Sequence, residues 1–332
     1  MTIKDLAAQT GYSVGTVSRV LNNQDHVSEL AREVILRAAA ESGFQLNTNA
    51  KQLKQQHGNS ILVICKGRSN ELFDTLLVDI QAQIAQTQYP LIVDYIDEND
   101  NEVRRAVRLC LEKKPLGILF LGGNQEHFLA DFHHIGVPCV LVTNSAADLH
   151  FPNLSSVSSD DVLAARMAID HLAELGHRKI VVLGGSREYS DTTRLRYRGC
   201  LEAFEAHGIA FREERDYETA RFSYEDSYRA ARALLDRNAE FTAMFAMSDV
   251  MAIGAIRALK DAGKRIPEDV SVVGFDGLEV GEYMSPRLTT VAQSARELAG
   301  RSLELLSKNI EGGTGARHET IPVILREKES TK

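Results

Sequence analysis

At 332 residues the chain is longer than one small core requires and suits a small head followed by a large two-part body. Its hydrophobic content of 44% and charged content of 25% are those of an ordinary globular protein, and no apolar run approaches the roughly 20 residues of a membrane span. The net charge of −8 argues against a nucleic-acid binder when the chain is taken whole. Residues 1–57, however, carry six basic and five acidic side chains, so the excess of acid belongs to the remainder. An acidic body with a near-neutral head fits a protein that touches DNA through its head alone. The opening residues Met1-Thr2-Ile3-Lys4-Asp5 hold no apolar signal core, which predicts a cytoplasmic protein. Cys65, Cys110, Cys139 and Cys200 are scattered without a Cys-x-x-Cys, so buried free thiols are expected rather than zinc or disulfides.

The first twenty-odd residues read as helix, tight turn, helix. Ile3, Leu6, Ala7 and Thr10 recur at helical spacing. Gly11 supplies a turn position with φ > 0, and Ala7 is small enough for two helices to cross closely. Ser13 is the expected N-cap of a second helix whose apolar face is Val17, Val20 and Leu21. An ordinary helical hairpin has the same pattern; a helix-turn-helix uses it to lay the second helix in the DNA major groove. On that reading Val14, Gly15 and Arg19 project outward, with Arg19 able to donate twice to a guanine edge. Ser13, Thr16 and Ser18 lie near the helix N-terminus, where phosphates are favoured. Ser28 should cap a third helix with the apolar stripe Leu30, Val34, Ile35 and Ala38, closed by Gly43. Asn47 to Gln56 is polar except for Ala50 and Leu53, and roughly eight residues are too few for a stable isolated helix.

Thr16-Val17-Ser18-Arg19-Val20-Leu21-Asn22, then His26-Val27-Ser28, then Asn47, Ala50 and Leu53 resemble the headpiece of the lactose/galactose-repressor (LacI/GalR) family. The resemblance implies a recognition helix in the major groove, with Asn22 and His26 among the DNA contacts. It also implies a hinge helix that folds in the minor groove, where Asn47, Ala50 and Leu53 meet the DNA and Leu53 wedges between base steps. Two positions depart from the family: Leu46 stands where proline is usual, and Lys51 where arginine is common.

From Ser60 onward strand and helix alternate. Strands are expected at Ile61–Cys65, Leu91–Ile96, Gly117–Leu121, Cys139–Val142, Ile180–Leu183, Ala243–Met247 and Ser271–Phe275, with Leu288–Val291 crossing back. Helices fill the intervals, the first carrying Leu72, Phe73, Leu76, Leu77, Ile80 and Ile84 inward. This is the α/β class, with parallel sheets flanked by helices in two similar lobes and a cleft between them for a small ligand. Gly176-His177-Arg178-Lys179-Ile180, Arg196-x-x-Gly199, Ser248-Asp249, Val272-Val273-Gly274-Phe275-Asp276 and Thr289-Thr290-Val291 resemble the periplasmic-binding-protein-like core of the same family. The expected division is a head at 1–46, a hinge at 47–58 and a core at 59–332. The N-lobe would take 60–160 and 292–320, and the C-lobe 161–291 and 321–332.

Arg196 and Asp276 fall where strand–helix loops should face the cleft, and together they can grip vicinal hydroxyls. Phe73 and Phe222 can supply apolar walls, and Ser248 a directional hydrogen bond. The resemblance places these residues in the effector pocket, with Asp160 and Gln293 as further matches. The plainer readings are core filling for Phe73, a solvated charge for Arg196, and a turn cap for Asp276. Asp249 reads as a helix N-cap, and Asp160-Asp161 as a turn at a strand end.

No Walker motif, dinucleotide fingerprint or nucleophile elbow is present, and no metal-ligand spacing surrounds His133-His134, so no enzyme, metal or cofactor is expected. The reading is a transcriptional regulator, a repressor by preference. Two chains would present two heads to a pseudopalindromic operator in double-stranded DNA, under control of a small effector. A sugar or sugar phosphate fits the cleft best, with a nucleobase or nucleoside as the alternative. A solute-binding protein or sugar-related enzyme on the same fold is the second function class. No heptad tail follows Ile321–Leu325, so a homodimer is expected rather than a coiled-coil tetramer.

Overall fold

The computed structural model describes residues 3–21, 27–42, 58–67, 70–237, 240–313 and 315–332. The chain forms two compact units, 1–56 and 57–332.

In the first unit, α1 (Ile3–Thr10), α2 (Val14–Leu21) and α3 (Glu29–Glu41) enclose a small core of Leu6, Ala7, Val17, Val20, Ala31, Ile35 and Ala39. Gly11 turns the chain at φ 71. Ser13 Oγ accepts the Thr16 N–H at 3.1 Å, and Ser28 Oγ that of Ala31 at 3.3 Å, so both expected caps form. The stripe expected on α3 is rotated by about one residue. Ala31, Ile35 and Ala39 face inward, while Leu30 is 69% and Val34 37% exposed. Ala31 and Ala39 thus take inward positions that the sequence pattern assigned to larger neighbours.

The second unit holds two six-stranded sheets. The strands are β1 (Ile61–Lys66), β2 (Leu91–Ile96), β3 (Gly117–Leu121), β4 (Cys139–Thr143), β5 (Leu154–Ser159), β6 (Ile180–Gly184), β7 (Tyr217–Thr219), β8 (Ala243–Ala246), β9 (Ser271–Asp276), β10 (Thr289–Ala292), β11 (His318–Ile321) and β12 (Ile324–Arg326). The first sheet runs β11-β5-β4-β3-β1-β2, all parallel. The second runs β12-β10-β9-β8-β6-β7, with only β12 antiparallel. Strands such as Ile61–Lys66 and Gly117–Leu121 are buried at every position, as parallel strands covered on both faces must be. The chain passes between the sheets three times: after β5, after β10 and after β11. No helix among the described residues is long and apolar enough to cross a membrane.

Four strands differ from the sequence expectation. β5 is Leu-Ser-Ser-Val-Ser-Ser, fully buried yet mostly polar. Two of its serines are satisfied by crossing segments: Ser155 Oγ accepts from Asn309 Nδ2 and the Arg317 N–H, and Ser156 Oγ from the Ala146 N–H. Hydrophobic periodicity has nothing to report at such a strand. β7, β11 and β12 are short edge or near-edge strands of three or four residues.

Two helix crossings are set by glycine. A Cβ at Gly199 would stand 2.2 Å from the Val162 carbonyl oxygen, and one at Gly254 would stand 2.4 Å from that of Tyr224. Helix Asp191–Ala206 therefore packs on Asp161–Glu174, and Asp249–Asp261 on Tyr224–Asp236, backbone to backbone. Gly199→Ala should lower stability by about 1–3 kcal/mol through overpacking, read as a reduced midpoint in chemical denaturation. An unchanged midpoint would contradict this crossing.

Candidate functional site

The head presents one side of α2. Val14, Gly15 and Arg19 are exposed on it, as expected, while Val17 and Val20 are buried beneath. The Ser13 and Thr16 hydroxyls pair at 2.9 Å at its N-terminus. Asn22, His26, Asn47, Ala50 and Leu53, and the hinge helix expected to hold the last three, lie outside the described residues.

In the body, a cavity of about 770 Å³ opens between the two sheet lobes. It lies off the carboxyl ends of the strands, where ligands of open α/β sheets bind. Lys66 ends β1, Gly122 and Gly123 follow β3, Gly185 follows β6, and Ala220 and Arg221 follow β7. Phe73 and Phe222, the two aromatic walls expected from sequence, both line it. A smooth wall is enforced by Gly122, whose added Cβ would lie 3.0 Å from the Phe73 ring, and by Gly185, at 2.7 Å from Phe222.

Side chains tie the lobes across the cavity rim. Arg221 donates to Glu98 at 2.5 Å and to Asp97 at 2.7 Å. Tyr224 donates to Glu71. The Gln125 N–H donates to Asp191 Oδ2 at 2.5 Å. Beneath the rim, buried Glu102 accepts from Lys66 Nζ at 2.5 Å and from the Asn124 N–H at 2.6 Å, with His127 Nδ1 at 2.9 Å. Burial opposes ionisation of Glu102, but His127, Lys66 and the Asn124 N–H outweigh it and hold its carboxyl below the usual range.

Arg196, Asp276 and Gln293 form a second cluster and are not among the residues that line the cavity. Arg196 donates to Asp161 Oδ1 at 2.8 Å and to the Met247 carbonyl, and its guanidinium lies 3.6 Å from the centre of the Phe275 ring. It is buried, not solvated. Gln293 Nε2 donates to Asp276 Oδ1 at 2.9 Å. Asp276 has a φ of 115°, an unusual backbone for a residue other than glycine.

Four residues have roles other than those read from the sequence. Ser248, expected to face a ligand, is the N-cap of helix Asp249–Asp261, accepting the Met251 N–H at 3.1 Å. Asp249, expected to be that cap, is buried one position later and accepts from the Leu278 N–H at 2.7 Å and from Thr290 Oγ1 at 2.6 Å. Asp160, expected at the effector, caps helix Asp161–Glu174 by accepting the Leu163 N–H, and Asp161 is the buried partner of Arg196 rather than a turn residue. Serine and aspartate both cap helices, so adjacent Ser-Asp and Asp-Asp pairs do not reveal which member caps and which turns inward.

Burial pushes the Asp249 carboxyl up to about 8, with the nearby Asp276 charge adding to it. Burial likewise raises Asp276 to about 7, although Arg196 pulls the other way. A carboxyl whose folded value lies above its unfolded one favours the fold most at low pH, and that contribution is lost as pH rises through the folded value. Asp249→Asn should therefore gain stability over the parent as pH goes from about 4 to 8. Denaturation at both ends of that window checks it; a difference independent of pH would contradict it.

A helix-turn-helix head on the same chain as a two-lobed body with an internal cleft is the build of a ligand-responsive transcriptional regulator. Bacterial regulatory proteins of the lacI family match residues 2–47, and a periplasmic binding protein-like domain matches residues 169–331. The HTH-type transcriptional regulator MalR of Clostridium butyricum is 33% identical over 335 residues, covering 99% of each chain. The HTH-type transcriptional repressor CytR of Escherichia coli (strain K12) is 29% identical over 98% of this chain and 95% of its own. Among solved structures, the Lac repressor dimer bound to operator and the anti-inducer ONPF is similar with a TM-score of 0.77 and 26% identity, covering 100% of this chain and 99% of its own. The chain belongs to the LacI family.

Proposed function

We propose that this protein is a sequence-specific DNA-binding repressor whose operator affinity is set by a small effector, a sugar or sugar phosphate, held between the two lobes of the body. The observation that carries this is the union, on one chain, of an exposed reading face on α2 and a cleft with aromatic walls. MalR and CytR, similar over nearly the whole length, are named as a regulator and a repressor. A structure of similar fold is a complex of the transcriptional regulator CelR with cellobiose, at a TM-score of 0.70 and 27% identity.

The working unit in this reading is a homodimer placing two heads on a pseudopalindromic operator. Arg19 reads a base edge from α2, with Val14 and Gly15 beside it and Ser13, Thr16 and Ser18 toward phosphate. Asn22, His26, Asn47, Ala50 and Leu53 complete the DNA-facing set. In the body, Phe73 and Phe222 hold the ring of the effector. Arg196 and Asp276, with Gln293, sense it from beneath. Occupancy changes the setting of the lobes, and the segment at 47–58 carries that change to the DNA.

The test is a gel shift with DNA from upstream of the protein's own gene against unrelated competitor. A shift that survives competitor is expected; a shift abolished equally by any DNA would contradict sequence-specific reading. Arg19→Ala should cost about 1–3 kcal/mol on the best site and relax preference at one base pair. An equal loss on all sequences would make Arg19 a phosphate contact instead.

A further inference from the structure

The charge of the cleft narrows its ligand, given the effector site of the proposed function. Six carboxylates line the cavity: Glu71, Asp74, Asp97, Glu98, Glu225 and Asp226. Two cations, Lys66 and Arg221, line it with them. Both are already engaged: Lys66 by buried Glu102, and Arg221 by Asp97 and Glu98 together. Arg229, in the adjoining hollow, is held by Asp226 at 2.5 Å.

Three helix N-termini also open toward the cavity, at Asn70, Ser190 and Ser223. Alone, they would favour an anion. The chain fills those positions itself. Asn70 accepts the Leu72 and Phe73 N–H groups, Ser190 that of Thr193, and Ser223 that of Asp226. Each first turn carries its own acid: Glu71 and Asp74, Asp191, and Glu225 and Asp226. A phosphate entering here meets carboxylates already placed at the helix ends, in a partly desolvated space where like-charge repulsion is strong. A hydroxyl group meets the opposite situation, because carboxylates accept hydrogen bonds and every sugar hydroxyl donates one.

The cavity also adjoins another. A second hollow of about 480 Å³ shares Glu98, Asn99, Ser186, Tyr189, Ala220 and Arg221 with the first and extends past Arg221 to Glu218 and Thr219. Phe73, Phe222, Tyr189 and Tyr224 supply flat walls along the main cavity. About 770 Å³ lies in the upper part of the range for sites that enclose drug-sized ligands.

From the lining charge, the volume and the adjoining second hollow we infer that the effector is an uncharged saccharide of at least two rings, and that sugar phosphates are excluded. Calorimetric titration of the full-length protein tests this with matched pairs: glucose and glucose 6-phosphate, trehalose and trehalose 6-phosphate, cellobiose and cellobiose 6′-phosphate, and adenosine and AMP. An uncharged disaccharide should bind roughly tenfold or more tighter than both its phosphorylated counterpart and glucose. A phosphorylated member binding as tightly as its partner would overturn the charge assignment while leaving a sugar effector in place. Glucose binding as tightly as the disaccharides would overturn the length, and binding by adenosine alone would overturn the saccharide. No binding by any compound would remove the effector reading, and this inference with it, while operator binding by the head would still be measurable by gel shift.

Discussion

The buried Arg196 guanidinium is the interaction on which the body depends. It is bonded to Asp161, the first residue of the helix that follows the first crossing between the lobes. It also lowers the cost of charge on Asp276, the last residue of β9, which Gln293 binds just beyond β10. Asp249 adds a bond from Thr290 within β10. One cation and three buried carboxyls thus sit where the chain enters and leaves the second lobe. The Arg196–Asp161 pair carries a desolvation cost that only close partners offset, and removing one partner of such a pair typically costs about 3–5 kcal/mol. A joint of this kind has few alternative arrangements, which makes it a stiff base for two lobes.

The rim of the cleft has the opposite character. Arg221, Asp97 and Tyr224 are exposed, and surface ion pairs of this kind are worth about 0–1 kcal/mol each. Closure across the rim is therefore held by weak ties over a stiff joint. A ligand with a few good hydrogen bonds has enough differential affinity to shift such an equilibrium, whereas it could not repack the joint itself. The acids that line the cleft have a second consequence: they leave the body with the negative charge that the near-neutral head lacks. Electrostatic attraction to DNA is thereby confined to the head.

Much of this was legible in the sequence, and the exceptions have physical causes. Strands β1, β3, β4, β6 and β8 are largely continuous apolar runs, and their limits follow within a residue or so of where that character stops. β5 was invisible because its buried serines look like a loop until their partners on distant segments are known. The α3 face was misjudged because alanine carries little hydrophobic signal, yet Ala31 and Ala39 are buried in the core of the head. At the site, Phe73 and Phe222 were marked out by the family resemblance, since an aromatic on the inner face of a helix otherwise reads as core. Arg221, Asp97, Glu98 and Glu71 did not, since a charged residue in a loop reads as solvated until a second loop is seen opposite it. Ser248 took the cap expected of Asp249 because capping chemistry is common to both side chains, and Asp249 turned inward instead.

The central claim is that occupancy of the cleft and hold on DNA are one linked equilibrium. The most direct measurement is the operator Kd of the full-length protein by fluorescence anisotropy, with the cleft empty and with it saturated by a saccharide shown to bind there. Linkage predicts a change of about tenfold or more between the two conditions. The same Kd in both, with the saccharide demonstrably bound, would contradict it.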